Sequence, residues 1–496
     1  MNARDPATSF DLPHRRAHFY GGMWHAPVSG AMIDVENPAT GESLGQVPNG
    51  DAADVDRAVA AAAGAFRAWR DTPAQQRAQC IRDAARVLRE HRDELAWLDA
   101  LDTGNPLSAM RYDVDISVGY MELFAGLVTE IKGATIPIAS DVLNYTLREP
   151  LGVVARIGAF NHPLLFVAGK CGAPLAAGNT LVIKPADQTP LSALRIAELL
   201  EEIFPAGVFN IVTGGRDAGA ALAEHPRVAK IGFIGSVNAG RAVMRSASGS
   251  LKALTLELGG KNALIACSDT KPEEIAEGVV RGMNFRYVTG QSCNSTSRVF
   301  LHESIHDAAL AAIVRKVAEI RVGMPTDPET EMGCLSSKAQ FDKTMSYIRA
   351  GQDEGARLVC GGKRPADPRL ARGYFVEPTV FADVRDDMRI AREEIFGPVV
   401  SILRWSDEQD VIQRANALDV GLTASIWTHD LDLAHRLASR IEAGYVWINN
   451  ASTHHVGVPF GGYKQSGMGR EESIDELLAC TQIKNVSVTI SRRTTS

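Results

Sequence analysis

The sequence predicts an α/β protein with two parallel-sheet lobes, preceded by helices and flanked by short extended segments. Three observations carry this reading. Apolar residues recur at helical intervals in the first hundred residues, and from Pro150 short β-rich runs alternate with helical segments across short turns. The same alternation resumes after Asn262. The chain has 496 residues, 45% hydrophobic and 22% charged, the balance of a globular protein with a large core. At roughly 100–200 residues per domain, it has room for several domains.

Residues 51–101 read as helices. Asp51 caps a first turn with Asp54 at its third position, and Val55, Val59, Ala62, Phe66 and Trp69 form an amphipathic stripe. Pro73 restarts the pattern, and Ile81, Ala84 and Leu88 mark the next helix. From Pro150 the β-like runs are Val153–Ile157, Thr180–Ile183, Val208–Val212, Lys230–Phe233 and Lys252–Glu257. Leu191–Glu202 and Gly240–Ala247 read as helices between them. This is a nucleotide-binding type of architecture, although a fold alone does not give a function. After Asn262 come strand-like Arg298–Leu301, a helix over Asp307–Ile320 and strand-like Val399–Leu403. Residues 127–149 and Ile483–Ile490 read as extended, which makes them candidates for pairing between subunits. The final SRRTTS reads as a frayed tail.

Lys and Arg number 52 and Asp and Glu 59, a net charge of −7. No basic footprint for nucleic acid or acidic lipid exists, so neither is an expected partner. The opening MNARDPATSF lacks an apolar signal core. The most apolar stretch, Pro163–Ile183, is broken by Lys170 and Asn179, so no spanning helix is expected. The cysteines are Cys80, Cys171, Cys267, Cys293, Cys334, Cys360 and Cys480, with no C-x-x-C pair. A disulfide framework or a metal site is not expected, and a reducing cytoplasm is the expected setting.

Seven short segments carry candidate chemistry. In Gly290-Gln291-Ser292-Cys293-Asn294 a thiol stands among polar neighbours; alone, it reads more simply as an inert buried cysteine. In Leu256-Glu257-Leu258-Gly259-Gly260-Lys261 a carboxylate ends a strand, where ligands bind in parallel sheets. A solvated acid is an equal reading. Phe160-Asn161-His162-Pro163 offers an amide to a developing oxyanion, or merely a turn. Ile183-Lys184-Pro185-Ala186-Asp187 places Lys184 for ribose hydroxyls or phosphate and Asp187 for a ribose diol. Phe233-Ile234-Gly235-Ser236 leads into a helix whose N-terminus suits a pyrophosphate, a weak signal without G-x-G-x-x-G. Glu393-Glu394-Ile395-Phe396-Gly397-Pro398-Val399 is the sixth. Pro459-Phe460-Gly461-Gly462-Tyr463-Lys464-Gln465-Ser466-Gly467-Met468-Gly469-Arg470-Glu471 is the seventh and reads as a glycine-rich loop.

Together, in this order and at these separations, LELGGK, GQSC, EEIFGP and PFGGYKQSG resemble the NAD(P)-dependent aldehyde dehydrogenase superfamily, over about Asn37 to Val486. The flavour is that of the nonphosphorylating, hydrolytic members. The resemblance implies a Rossmann-like cofactor domain (1–126 and 150–261), an α/β catalytic domain (262–475), and a small β oligomerisation extension (127–149 and 476–496). It implies that Cys293 is the nucleophile, Glu257 the general base and Asn161 an oxyanion donor. Lys184 and Asp187 match contacts to the adenosine ribose, Gly235 and Ser236 the pyrophosphate region, and Glu394 the nicotinamide ribose, with Phe396 and Phe160 beside the cofactor. Asp187 would repel a 2′-phosphate, favouring NAD while leaving NADP open. The extended segments favour a homo-oligomer, a homodimer or homotetramer.

The substrate side departs from relatives. Ala159-Phe160 stands where many have Pro-Trp, and the tunnel position often held by Trp, within Phe124-Ala125-Gly126-Leu127, reads as Leu127. A quaternary-ammonium cage needs aromatic faces, so betaine aldehyde is disfavoured. Arg286, Tyr287, Ser292, Asn294, His162, His454 and His455 are expected to line the tunnel with Phe124. An aromatic or polar, even anionic, aldehyde is the expected substrate, unless Arg286 simply pairs with a surface acid. A CoA-acylating enzyme is the alternative within the family, which the presence of Glu257 disfavours. A cysteine esterase is the alternative outside it, which Lys184, Ser236 and Glu394 disfavour.

Overall fold

The structure is a computed structural model and describes residues 10–490. The terminal SRRTTS, read as a frayed tail, lies outside the described residues. The capping box at Asp51 is present: its carboxylate accepts from Ala53 and Asp54, and Asp54 accepts back from the Asp51 N–H. The helix runs Ala52–Asp71 and buries Val55, Val59, Ala62 and Trp69. Pro73 precedes the helix Ala74–Glu90, which buries Ile81, Ala84 and Leu88. Arg92–Thr103 and Leu107–Gly126 follow.

The first sheet has five parallel central strands in the spatial order Phe209–Ile211, Thr180–Lys184, Val153–Ile157, Val228–Gly235, Ala253–Leu258. All five residues of Val153–Ile157 are buried, as a strand covered on both faces requires. The chain leaves this strand toward one side and later returns to its other side. Its carboxyl end is therefore a switch point, where open parallel sheets bind ligands. Phe160-Asn161 and Gly235-Ser236 both emerge there.

The second sheet orders Arg357–Cys360, Thr379–Ala382, Val399–Trp405, Arg298–His302, Ala263–Ala266, Thr423–Trp427 and Tyr445–Ile448. All pairs are parallel except the first. The extended segments form a third sheet, in which Thr135–Ala139 and Thr481–Thr489 flank Val142–Pro150 antiparallel. Ile136, Ile138, Leu143, Leu147 and Ile483 of this sheet are exposed.

Two features depart from the sequence reading. The hairpins His18–Tyr20/Met23–His25 and Met32–Asn37/Glu42–Pro48 precede the first helix; their strands are short, His18–Tyr20 is buried throughout and the others are mostly exposed or half-buried, which leaves little alternation to read. The chain also returns to the first lobe before residue 475, because Gly467–Met468 pairs antiparallel with Leu256 and Glu257. Among the described residues no helix is long and apolar enough to cross a membrane.

Candidate active site

Cys293 sits in a turn that hydrogen bonds hold from below. Asn262 Nδ2 donates to the carbonyls of Cys293 (2.7 Å) and Ser295 (3.0 Å). Asn262 directly follows Lys261, so the LELGGK strand end and the cysteine loop are fastened together. Gln291 Oε1 accepts from the Ser336 N–H at 3.1 Å. Before the loop, Asn284, Thr289 and Gly290 all take positive φ, and they fold residues 285–288 into a single helical turn.

Glu257 is buried near the end of Ala253–Leu258, with its carboxyl beside the Cys293 thiol. The glycine-rich loop explains its position. Ser466 Oγ donates to the Gly259 carbonyl (2.8 Å), and the Leu258 N–H donates to the Ser466 carbonyl (3.0 Å). Gly467 has φ +129, and a Cβ there would lie 1.9 Å from the Leu256 carbonyl oxygen. Only glycine permits this approach. Burial pushes the Glu257 carboxyl up to about 8, and its Oε1 has no hydrogen-bond partner among the described residues. Burial and the neighbouring Glu257 push the Cys293 thiol well above its ordinary value. The carboxyl thus loses its proton before the thiol does, and is placed to take the proton from sulfur or from a water.

Two cavities meet at this pair. One is lined by Phe160, Asn161, Gly235, Ser236, Gln340, Lys343, Glu394 and Phe396, together with Cys293 and Glu257. The other is lined by aromatic side chains and also ends on Cys293 and Glu257. A ligand in each would meet the other's reacting end at the sulfur.

The first cavity fits a dinucleotide. Ser236 caps the helix Val237–Ser248, so free N–H groups face the strand end. Glu394 Oε1 accepts from the Gly260 N–H at 3.1 Å, and a Cβ on Gly259 would collide with Glu394 Oε2 at 2.1 Å. Phe396 takes φ +59 and meets Phe160 edge to face at 5.6 Å. Gln340 Nε2 holds that backbone by donating to the Ile395 and Phe396 carbonyls (3.0 and 2.6 Å). Further along the switch point, burial lowers Lys184 to about 8, with Asp187 opposing the shift. Among the described residues Lys184 Nζ donates only to the Pro185 carbonyl, at 2.8 Å, so donors remain for a ribose. Asn161 is buried beside Cys293; its side-chain amide and the Cys293 N–H have no partner among the described residues. Both are available to an oxyanion.

The second cavity places some expected residues and excludes others. His162, Tyr287, Ser292, Asn294 and His454 line it. Phe124 does not: it is fully buried and packs under Gly172. Leu127 does not either; it caps the end of Leu107–Gly126 and packs on the first-lobe core. The wall is made earlier on that helix by Tyr112, Ile116 and Tyr120, one turn apart, and by Leu165 and Phe166. The sequence reading followed the motif spacing one to two turns too far along the helix. His455 is exposed and absent from the lining, because the chain turns outward there with the Val458 N–H donating to its carbonyl. Arg286 lines an outer cleft with Tyr112 and Tyr287, and its Nε lies 3.4 Å from Glu331. The pairing with an acid, weighed as the simpler reading, is the one found.

Behind the thiol lies a buried ionic cluster that the sequence reading missed. Lys170 pairs with Glu471 (3.0 Å) and Glu472 (3.3 Å), and Arg156 pairs with Glu471 (2.6 Å) and Glu476. Tyr120 donates to Glu472 at 2.6 Å, and His454 Nδ1 lies 3.0 Å from the same carboxylate. Burial favours a neutral Glu472, but Lys170 and His454 outweigh it and hold the carboxyl well below its usual range. One signal was legible: Lys170 interrupts the most apolar stretch of the chain, where a lysine must be paired.

Comparisons with known proteins agree with this geometry. Residues 24–486 match the aldehyde dehydrogenase family. The chain is 48% identical over 490 residues to aldehyde dehydrogenase tropH of Talaromyces stipitatus, covering 97% of this chain and 95% of that one. Among solved structures, an NAD+ complex of aldehyde dehydrogenase from Bacillus cereus is 42% identical with a TM-score of 0.93, covering 97% and 98% of the two chains. Betaine aldehyde dehydrogenase from Staphylococcus aureus, in complex with NAD+, is 34% identical with a TM-score of 0.94, covering 98% and 99%. The chain belongs to the aldehyde dehydrogenase family.

Proposed function

We propose that this aldehyde dehydrogenase oxidises its substrate to a carboxylic acid through a covalent adduct on Cys293, with NAD as the oxidant and water as the final acyl acceptor. The observation that carries the reading is the meeting of two cavities on one thiol–carboxyl pair. Glu257 takes the thiol proton, and sulfur bonds to the aldehyde carbon. The carbonyl oxygen gains charge and receives hydrogen bonds from Asn161 and the Cys293 N–H. NAD, when bound, accepts hydride from that carbon; Lys184, Asp187, Ser236 and Glu394 would hold it. The carbon–oxygen double bond re-forms and leaves a thioester on sulfur. Glu257 releases the thiol proton to solvent and then takes a proton from water; the water oxygen bonds to the acyl carbon, and the carbon–sulfur bond breaks to give the acid and the Cys293 thiolate. Asn161→Ala is expected to lower kcat by about 10²–10³ with a smaller change in KM. Steady-state rates with saturating NAD check this.

Asp187 supports a preference for NAD. Its carboxylate stands beside Gly215 and Lys184, where a 2′-phosphate would meet negative charge. Asp187→Ser is expected to raise kcat/KM for NADP relative to NAD by roughly tenfold, about 1.4 kcal/mol. Parallel initial rates with the two cofactors decide it. NADH formation without CoA separates this reading from acyl transfer to CoA.

The three-stranded sheet supports a homo-oligomer. It carries exposed Ile136, Ile138 and Ile483 beyond both cores, the kind of surface a second copy covers. All seven cysteines are free, which suits a reducing cytoplasm. The domain division follows the same logic: the first sheet holds the cofactor, the second positions the thiol, and the third joins subunits.

A further inference from the structure

The substrate cavity holds a second set of coupled polar groups that the covalent chemistry does not use. Asp113 is fully buried on the helix Leu107–Gly126. Its Oδ2 lies 2.8 Å from His162 Nδ1, and its Oδ1 accepts from the Tyr287 hydroxyl. Because Asp113 accepts at both oxygens, Nδ1 of His162 carries the hydrogen. The ring is clamped further by Tyr287 (5.0 Å between centroids) and Phe166 (5.8 Å, edge to face). Nε2 of His162 has no partner among the described residues, although the ring lines the cavity.

Apart from Glu257, which the covalent chemistry uses, and the hydroxyl of half-exposed Tyr112, the other polar groups in the cavity are already committed. His454 is bonded at both nitrogens, to Glu472 and to Asn294 Nδ2. Ser292 Oγ donates to Asn294 Oδ1 at 2.9 Å. Lys170, the one cation among the described lining residues, is paired twice with glutamates. Glu257, Glu471 and Glu472 make the surroundings unwelcoming to a substrate carboxylate. The remaining wall is Tyr112, Tyr120, Phe166, Tyr287 and Phe460 with aliphatic fillers, which suits a flat ring.

We propose that His162, positioned by Asp113, is a specificity-determining residue that hydrogen-bonds a hydroxyl on an uncharged aromatic aldehyde. The inference rests on aldehyde oxidation at Cys293 and adds the substrate class. A pre-oriented imidazole nitrogen rewards a hydroxyl and gains nothing from a substituent of similar size that lacks the O–H.

The test compares kcat/KM, with NAD, for 2-, 3- and 4-hydroxybenzaldehyde against the matching fluorobenzaldehydes, in wild type and in His162→Phe. Comparing the two proteins cancels the aldehydes' intrinsic reactivities. For at least one ring position the hydroxy-to-fluoro ratio is expected to fall about tenfold or more in His162→Phe, and to be largely kept in His162→Gln, which retains a hydrogen-bonding group. A ratio unchanged within twofold at all three positions would overturn the proposal. So would a wild-type preference for 4-carboxybenzaldehyde over every hydroxy isomer, because the substrate would then be anionic. Turnover itself is read separately: its absence in wild type with benzaldehyde and with every hydroxybenzaldehyde would count against aromatic aldehydes altogether, while turnover with an unchanged ratio would remove only the role of His162.

Discussion

Cys293→Ala is expected to abolish aldehyde-dependent NADH formation, a loss of at least about 10⁴-fold in kcat. The size follows from the arrangement. The sulfur lies where the two cavities meet, and no other described cysteine lines either of them. Cys171, Cys267, Cys334 and Cys480 are buried elsewhere, with thiols pushed up by burial, and cannot substitute. Cys293→Ser is expected to be nearly as inactive, since an alkoxide is far harder to generate than a thiolate. The loop should survive either change, because its anchors are the Asn262 contacts to backbone carbonyls and the Gln291 bond. Cofactor binding measured by NAD quenching of protein fluorescence should therefore persist. Normal turnover in Cys293→Ala would exclude a covalent route through this thiol.

Glu257→Gln is expected to cost about 10²–10⁴ in kcat, the range of a general base, and to change the pH profile. The carboxyl is held up to about 8 by burial, and only its ionised form accepts a proton. Activity of the wild type is therefore expected to rise with pH through about 8, later than an ordinary glutamate would allow. The thiol is raised as well by burial and by Glu257, so the limb belongs to the pair and not to one group. In the Gln variant the carboxyl limb is removed, and the remaining rise should move to higher pH with the thiol's own ionisation. A profile with an unmoved limb would mean that another base serves the reaction.

The candidate catalytic residues were legible only as a set: LELGGK, GQSC, EEIFGP and PFGGYKQSG in this order carry the resemblance that points to them. Alone, Glu257 reads equally as a solvated acid and Cys293 more simply as an inert thiol. The cofactor contacts were legible for a further reason. Lys184 ends the strand Thr180–Lys184 and Ser236 follows the strand Val228–Gly235. The strand Phe209–Ile211 comes between them in the chain, but all run parallel, so the alternation of elements places both at one edge of the sheet.

The substrate wall was not legible. Tyr112, Ile116 and Tyr120 repeat every four residues, as any core-facing helix stripe does, and nothing in the spacing distinguishes a cavity wall from packed interior. Phe124, on the same stripe, is packed, which is why the expected tunnel residues shifted along the helix. Arg286 shows the converse. Its place near the nucleophile in sequence suggested a role in the tunnel, but the turn at residues 285–288 carries it outward to Glu331. Asp113 and Glu472 were hidden because a buried carboxylate announces itself only through its partners, and those come from distant segments.

The most direct measurement is the mass of the intact protein, quenched within a single turnover of an aromatic aldehyde and NAD, followed by mapping of the modified peptide. The account predicts a transient gain equal to the acyl group minus one hydrogen, located on Cys293, and longer-lived in Glu257→Gln. A protein that turns over with no such species, or that carries it on another cysteine, would contradict it.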